Sequence, residues 1–112
     1  MKIAVTAIFL NSGPLAGYGH YSHEILKAIV NNNPDHEFLF LYDRPLQQVL
    51  VEHPRVLHEV IPPATRQPLA LAYWYHIRAS RRVKSWGADV WLQPYGMASF
   101  FSKVPQLMIV HD

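Results

Sequence analysis

The chain has 112 residues, half of them apolar and 16% charged, which suits one folded domain and excludes a disordered segment. It has no cysteine, which excludes disulfides and thiolate metal sites, and a net charge of only +2, which argues against a nucleic-acid partner. The charge is unevenly placed. Residues 1–60 carry four Lys/Arg against six Asp/Glu, whereas residues 61–112 carry six against two, mainly in Arg78, Arg81, Arg82 and Lys84.

Taken in chain order, the apolar run 3–10 reads as a strand buried on both faces. It is too short to cross a bilayer, and no small-residue cleavage site follows it. Asn11-Ser12-Gly13-Pro14 breaks the run, and Gly17 and Gly19 frame the start of an amphipathic helix. On its wheel Tyr21, Ile25, Ala28 and Ile29 share one side, with Tyr18 and Leu26 at the edges. His20, His23, Glu24, Lys27 and Asn31 share the other side, and the stretch 31–34 supplies a stop signal.

Residues 38–42 read as a second buried strand, 45–51 as a short helical turn, and 55–61 as a third strand ended by Pro62-Pro63. After a linker over 64–68, residues 69–86 read as a long helix closed by Gly87. Its wheel turns Leu69, Ala72, Tyr73, Ala79, Val83 and Trp86 inward and Arg78, Arg81 and Arg82 outward. Residues 89–93 form a fourth strand, 94–101 an irregular connection, and 106–110 a fifth strand.

This order predicts an α/β fold: one Rossmann-like domain over residues 1–112, with a mostly parallel sheet of about five strands flanked by helices. Such sheets bind ligands beyond the carboxyl ends of their strands, near the topological switch point.

Gly13-Pro14-Leu15-Ala16-Gly17-Tyr18-Gly19 is a glycine-rich strand-to-helix turn, suited to bringing backbone N–H groups and a helix amino terminus up to an anion. It does not fit a dinucleotide fingerprint, because Ser22 stands at the third glycine position, and it lacks the Gly-Lys-Ser/Thr ending of a phosphate loop. The loop by itself leaves two readings open: an anion cradle, or glycines that only permit an awkward turn. His20 and His23 lie one helical turn apart without a third ligand, so the expectation is solvated histidines and no metal. There is no Gly-x-Ser-x-Gly nucleophile motif.

Four segments carry a family resemblance. Gly17-Tyr18-Gly19-His20-Tyr21 with Glu24-Ile25-Leu26-Lys27-Ala28, then Asn33-Pro34-Asp35-His36-Glu37-Phe38, then Gly87-Ala88-Asp89-Val90, and finally Val104-Pro105 with Val110-His111-Asp112, lie in order along nearly the whole chain. Together they resemble the amino-terminal, acceptor-side domain of family-4 glycosyltransferases, although His20 stands where that family more often has Arg.

The resemblance implies part of a GT-B fold, with a donor-binding domain absent from this chain. It also implies sugar transfer from a nucleotide-sugar donor to a sugar, glycan or lipid-linked acceptor, with retention and without a metal or other cofactor. Carried over, Gly17, Tyr18 and Gly19 belong to the loop under the donor diphosphate. His111 faces the donor sugar as the candidate catalytic residue, with Asp112 as its support or a turn residue. The fragment alone is expected to be inactive. The alternatives are a stand-alone Rossmann-like module that binds a nucleotide or phosphate, and a protein-interaction domain.

Two further expectations concern surfaces. Tyr95 and Gly96, after the fourth strand, are candidates for the acceptor side of a cleft, or for packing under the next loop. Trp74 shares a helical face with Arg78 and Arg81, which suits a lipid headgroup interface, an anionic acceptor or simple Trp–Arg stacking. The expected location is cytoplasmic, with peripheral contact at the inner membrane face. Apolar surface exposed by truncation suggests a homodimer.

Overall fold

The computed structural model describes residues 1–7, 17–33, 35–43, 54–62, 67–93, 99 and 102–108, with only the backbone described for 17–23 and 25. Five strands form one sheet: β1 (Lys2–Thr6), β2 (Glu37–Tyr42), β3 (Val56–Val60), β4 (Val90–Gln93) and β5 (Gln106–Met108). Their order is β3-β2-β1-β4-β5, and every pairing is parallel. The expected short helical turn over 45–51 lies outside the described residues.

Parallel strands buried on both faces require continuous apolar runs, and β2 meets that demand. Phe38, Phe40 and Tyr42 face one side and Leu39 and Leu41 the other, all of them buried. On the first side lies helix α1 (Gly17–Asn32), which packs Leu26 and Val30 against Val5, Phe38 and Phe40. The contact stripe is therefore rotated from the one expected. Among the described side chains of α1, Leu26 and Val30 are buried, Ile29 packs partly buried against the same cluster, and Ala28 is exposed, because Leu26 and Val30, one turn apart, offer the larger apolar side chains to the sheet. Asn33 ends the helix by donating its side-chain amide to the carbonyl of Ile29 at 2.8 Å.

The other face is covered by one helical column in three parts: α2 (Pro68–Tyr73), a π-helical segment (Trp74–Ala79) and α3 (Ser80–Trp86). Pro68 opens it at the first helical position, where a missing N–H costs nothing. Gly87 closes it at φ 85°, with its N–H on Lys84 O and the Ala88 N–H on Val83 O, the two bonds of a Schellman motif. Lys2 reinforces that end: its Nζ donates to Trp86 O at 3.2 Å and lies 5.1 Å from the centre of the indole ring.

The π-helical segment overturns the expected helical face. A wheel assumes roughly 100° per residue, whereas the wider i→i+5 turn advances by less, and over six residues the shortfall reaches roughly a third of a turn. Trp74 and Tyr75 are consequently turned into the core beside Ala79 and Val83, while Leu69, Ala72 and Tyr73 face outward. Trp74 is thus not an exposed aromatic among arginines. It is fully buried, its Nε1 donates to Ile61 O at 2.7 Å, and its ring meets Tyr75 edge-on.

The chain crosses from β1 to β2 by α1 on one face, and from β3 to β4 by the second column on the other. The strand order reverses between β1 and β4, so their carboxyl ends flank a topological switch point. At the sheet edge, β5 leaves Leu107 and Met108 exposed. Among the described residues no helix is long and apolar enough to cross a membrane.

Candidate functional site

The carboxyl edge of the sheet is assembled from the ends of β1, β2, β4 and β5. After Ala7 the chain passes through residues outside the description and re-enters as α1 at Gly17. Gly17, Tyr18 and Gly19 therefore form the first turn of that helix, on the carboxyl side of β1. The first-turn N–H groups of a helix have no intrahelical acceptor, and the turn holds no acidic side chain to offset the helix dipole.

A buried chain of polar groups lies directly at the switch point. Trp91 Nε1 donates to Thr6 Oγ1 at 2.9 Å, and Thr6 donates to Gln93 Oε1 at 2.7 Å. Gln93 Nε2 then donates to Gln106 Oε1 at 3.1 Å. Gln106 also grips the backbone of Ser99, accepting from its N–H at 2.8 Å and donating to its carbonyl at 2.9 Å.

The direction of this chain follows from chemistry. An indole nitrogen can only donate, so the Thr6 hydroxyl accepts from it and passes its own hydrogen on. Gln93 must then present its oxygen to Thr6 and its amide hydrogens to Gln106. Thr6, Gln93 and Ser99 are all buried, so each link satisfies a group that water does not reach. The side chain of Gln106 acts as a substitute peptide unit, fastening the middle of the β4–β5 connection, at Ser99, to the sheet.

Thr6, Gln93, Gln106 and Ser99 escape the sequence reading. Their one signal is polarity inside apolar strands, Thr6 in the first and Gln93 in the fourth. Asp43, immediately beyond β2 at the same edge and only 3% exposed, is a further acid that the reading passed over.

The other predicted residues divide clearly. Tyr95, Gly96, His111 and Asp112 lie outside the described residues, as does the loop 13–16. For Tyr18, His20 and His23 only the backbone is described. Among the described residues there is no group of three or more His, Cys, Asp or Glu able to hold a metal ion.

Arg78 and Arg81 are exposed on the second helical column, in a depression they share with Ile61 just after β3, which β2 separates from β1. Arg82 lines the same open depression. Arg82 is fixed there by Glu59, with Nε 2.6 Å from Oε2, and by a 3.3 Å bond from Nη1 to Ser85 Oγ. Comparison of the chain with protein-family models, curated proteins and solved structures returns no match.

Proposed function

We propose that this chain is the acceptor-side portion of a retaining glycosyltransferase that moves a sugar from a nucleotide-sugar to an acceptor. The observation that supports this reading most is the strand order β3-β2-β1-β4-β5, with the glycine-bearing first turn of α1 following β1 beside the switch point. Glycines in that turn let the backbone approach a bulky diphosphate, and a helix end without an acidic side chain in its first turn favours the charge that the leaving group gains. The four sequence segments that resemble the family lie in the order this architecture needs.

In this reading the donor nucleotide is gripped mainly by a second domain. Gly17 and Gly19 bear on the diphosphate from below, and His111 hydrogen-bonds the donor sugar near the reaction centre with Asp112 as its support. Tyr95 and Gly96 belong to the acceptor side, where an aromatic ring stacks on a sugar face. The Gln93–Gln106–Ser99 chain holds the connection that carries them.

The test is the complete reading frame that encodes the chain, expressed and incubated with labelled UDP- and GDP-sugars. The expected result is a donor half of roughly 250 residues with a Glu-x7-Glu segment, and label transfer that is lost in His111→Ala. A frame without such a half, or a full-length product that neither binds nor consumes a sugar nucleotide, overturns the proposal.

A further inference from the structure

We infer that the depression lined by Ile61, Arg78, Arg81 and Arg82 is a binding site for a phosphate monoester, separate from the switch-point site. The charge count points to that chemistry. Three guanidinium groups border the depression, and Glu59, 2.6 Å from Arg82, neutralises one of them. Arg78 and Arg81 are exposed and have no ion pair or hydrogen bond among the described residues. Among the described residues the uncompensated charge is therefore near +2, which matches the charge of roughly −1.5 to −2 on a phosphomonoester at neutral pH. A single carboxylate would leave half of it unbalanced.

Geometry favours the same ligand. Each guanidinium presents forked donors that match tetrahedral phosphate oxygens. Arg82 is already held in place through Nε and Nη1, so ordering it costs less than ordering a free side chain. Ile61 closes one wall with an apolar, buried side chain.

Arg78 reaches this depression from within the π-helical segment, a distortion of the kind that recurs at functional sites. The same segment turns Trp74 into the core, so the site lacks the exposed aromatic that would anchor it in a bilayer. A free phosphomonoester or a phosphorylated lipid headgroup both supply the required group, and the experiment separates them.

The test is an NMR titration of the 112-residue chain with inorganic phosphate at low ionic strength, reading the arginine Nε–H signals. Sedimentation with phosphatidylcholine vesicles, with and without phosphatidate, forms the second arm. The expected result is saturable shifts at Arg78 and Arg81, weakened about tenfold in the double variant Arg78→Gln/Arg81→Gln, the combined effect of two exposed charge-assisted contacts. Lys84→Gln, an exposed cation on the same column outside the depression, should change affinity less than about twofold.

Binding of inorganic phosphate supports a soluble ligand. Binding only to phosphatidate vesicles, lost in the same double variant, supports a headgroup. No saturable binding in either arm, or an equal loss in Lys84→Gln, overturns the site. Neither arginine takes part in the core, and circular dichroism of the double variant checks that the fold is kept.

Discussion

Trp91 Nε1 donates to Thr6 Oγ1 at 2.9 Å, joining the two strands that flank the switch point through side chains as well as backbone. The bond couples the sheet's second core to its carboxyl edge. Trp91 belongs to the cluster around Trp74 and Val83, and Thr6 hands the hydrogen-bonding direction on to Gln93. The position of Ser99, midway along the β4–β5 connection, thus depends on a hydroxyl in β1.

Thr6→Val tests that dependence. It conserves volume but removes the acceptor for Trp91 and the donor for Gln93, leaving two buried polar groups unsatisfied. Each costs roughly 1–3 kcal/mol, so the expected loss of unfolding free energy is about 2–6 kcal/mol. Thr6→Ser keeps the hydroxyl and should lose only about 1 kcal/mol, the scale of one buried methyl group. Urea denaturation of both variants checks the difference, and equal losses would show that the hydroxyl contributes nothing.

Trp74 gives a second test, because burial and exposure predict different outcomes. A surface aromatic could be replaced at a cost within about 0.5 kcal/mol. A buried Trp replaced by Ala should cost about 3–5 kcal/mol through the lost contacts and the cavity left behind. Trp74→Phe should cost roughly 1–3 kcal/mol, since it also leaves Ile61 O without its 2.7 Å donor. Thermal and urea unfolding measure both values, and a neutral Trp74→Ala would contradict the π-helical register.

Trp74 also marks where the sequence stops being legible. The strands are readable because β2 and its neighbours are apolar runs of strand length, and Gly87 is readable because a long helix ends there. The direction of Trp74 is not readable, since every wheel carries a fixed angle per residue and a π-helical segment changes it. The polar chain is hidden for a different reason. Thr6 and Gln93 are 87 residues apart, and they meet only because β4 pairs with β1 and not with β3. The glycines of α1 were legible as a turn and stand in its first turn, but His111, Asp112, Tyr95 and Gly96 lie outside the described residues. The chemistry assigned to them rests on resemblance.

Gly87 separates backbone conformation from space. Its φ of 85° lies in the left-handed region, yet an added Cβ would meet no atom within 4 Å. Gly87→Ala should therefore destabilise the chain through the backbone alone, by about 1–2 kcal/mol. Gly87→Asn should lose less, because Asn tolerates this conformation better. Denaturation midpoints of the two variants test the ordering, and a larger loss for Asn would point to a clash that the structure lacks.

Tyr42 supplies a pH dependence with a defined sign. Burial raises its phenol pKa above the ordinary value near 10, and its Oη lies 2.8 Å from His58 Nδ1. In the unfolded chain the proton is released near pH 10, while the folded chain retains it to higher pH. Above about pH 10 the unfolded state binds fewer protons than the folded state. The contribution to stability is therefore complete below that pH and is lost as pH rises toward the folded pKa, by up to about 1.4 kcal/mol per pH unit. Near-ultraviolet absorbance of the native chain should show the Tyr42 phenol ionising only with unfolding. Tyr42→Phe removes that phenol and the part of the alkaline slope it causes, at the cost of the bond to His58. An alkaline stability slope that is unchanged in Tyr42→Phe would assign the effect to another residue.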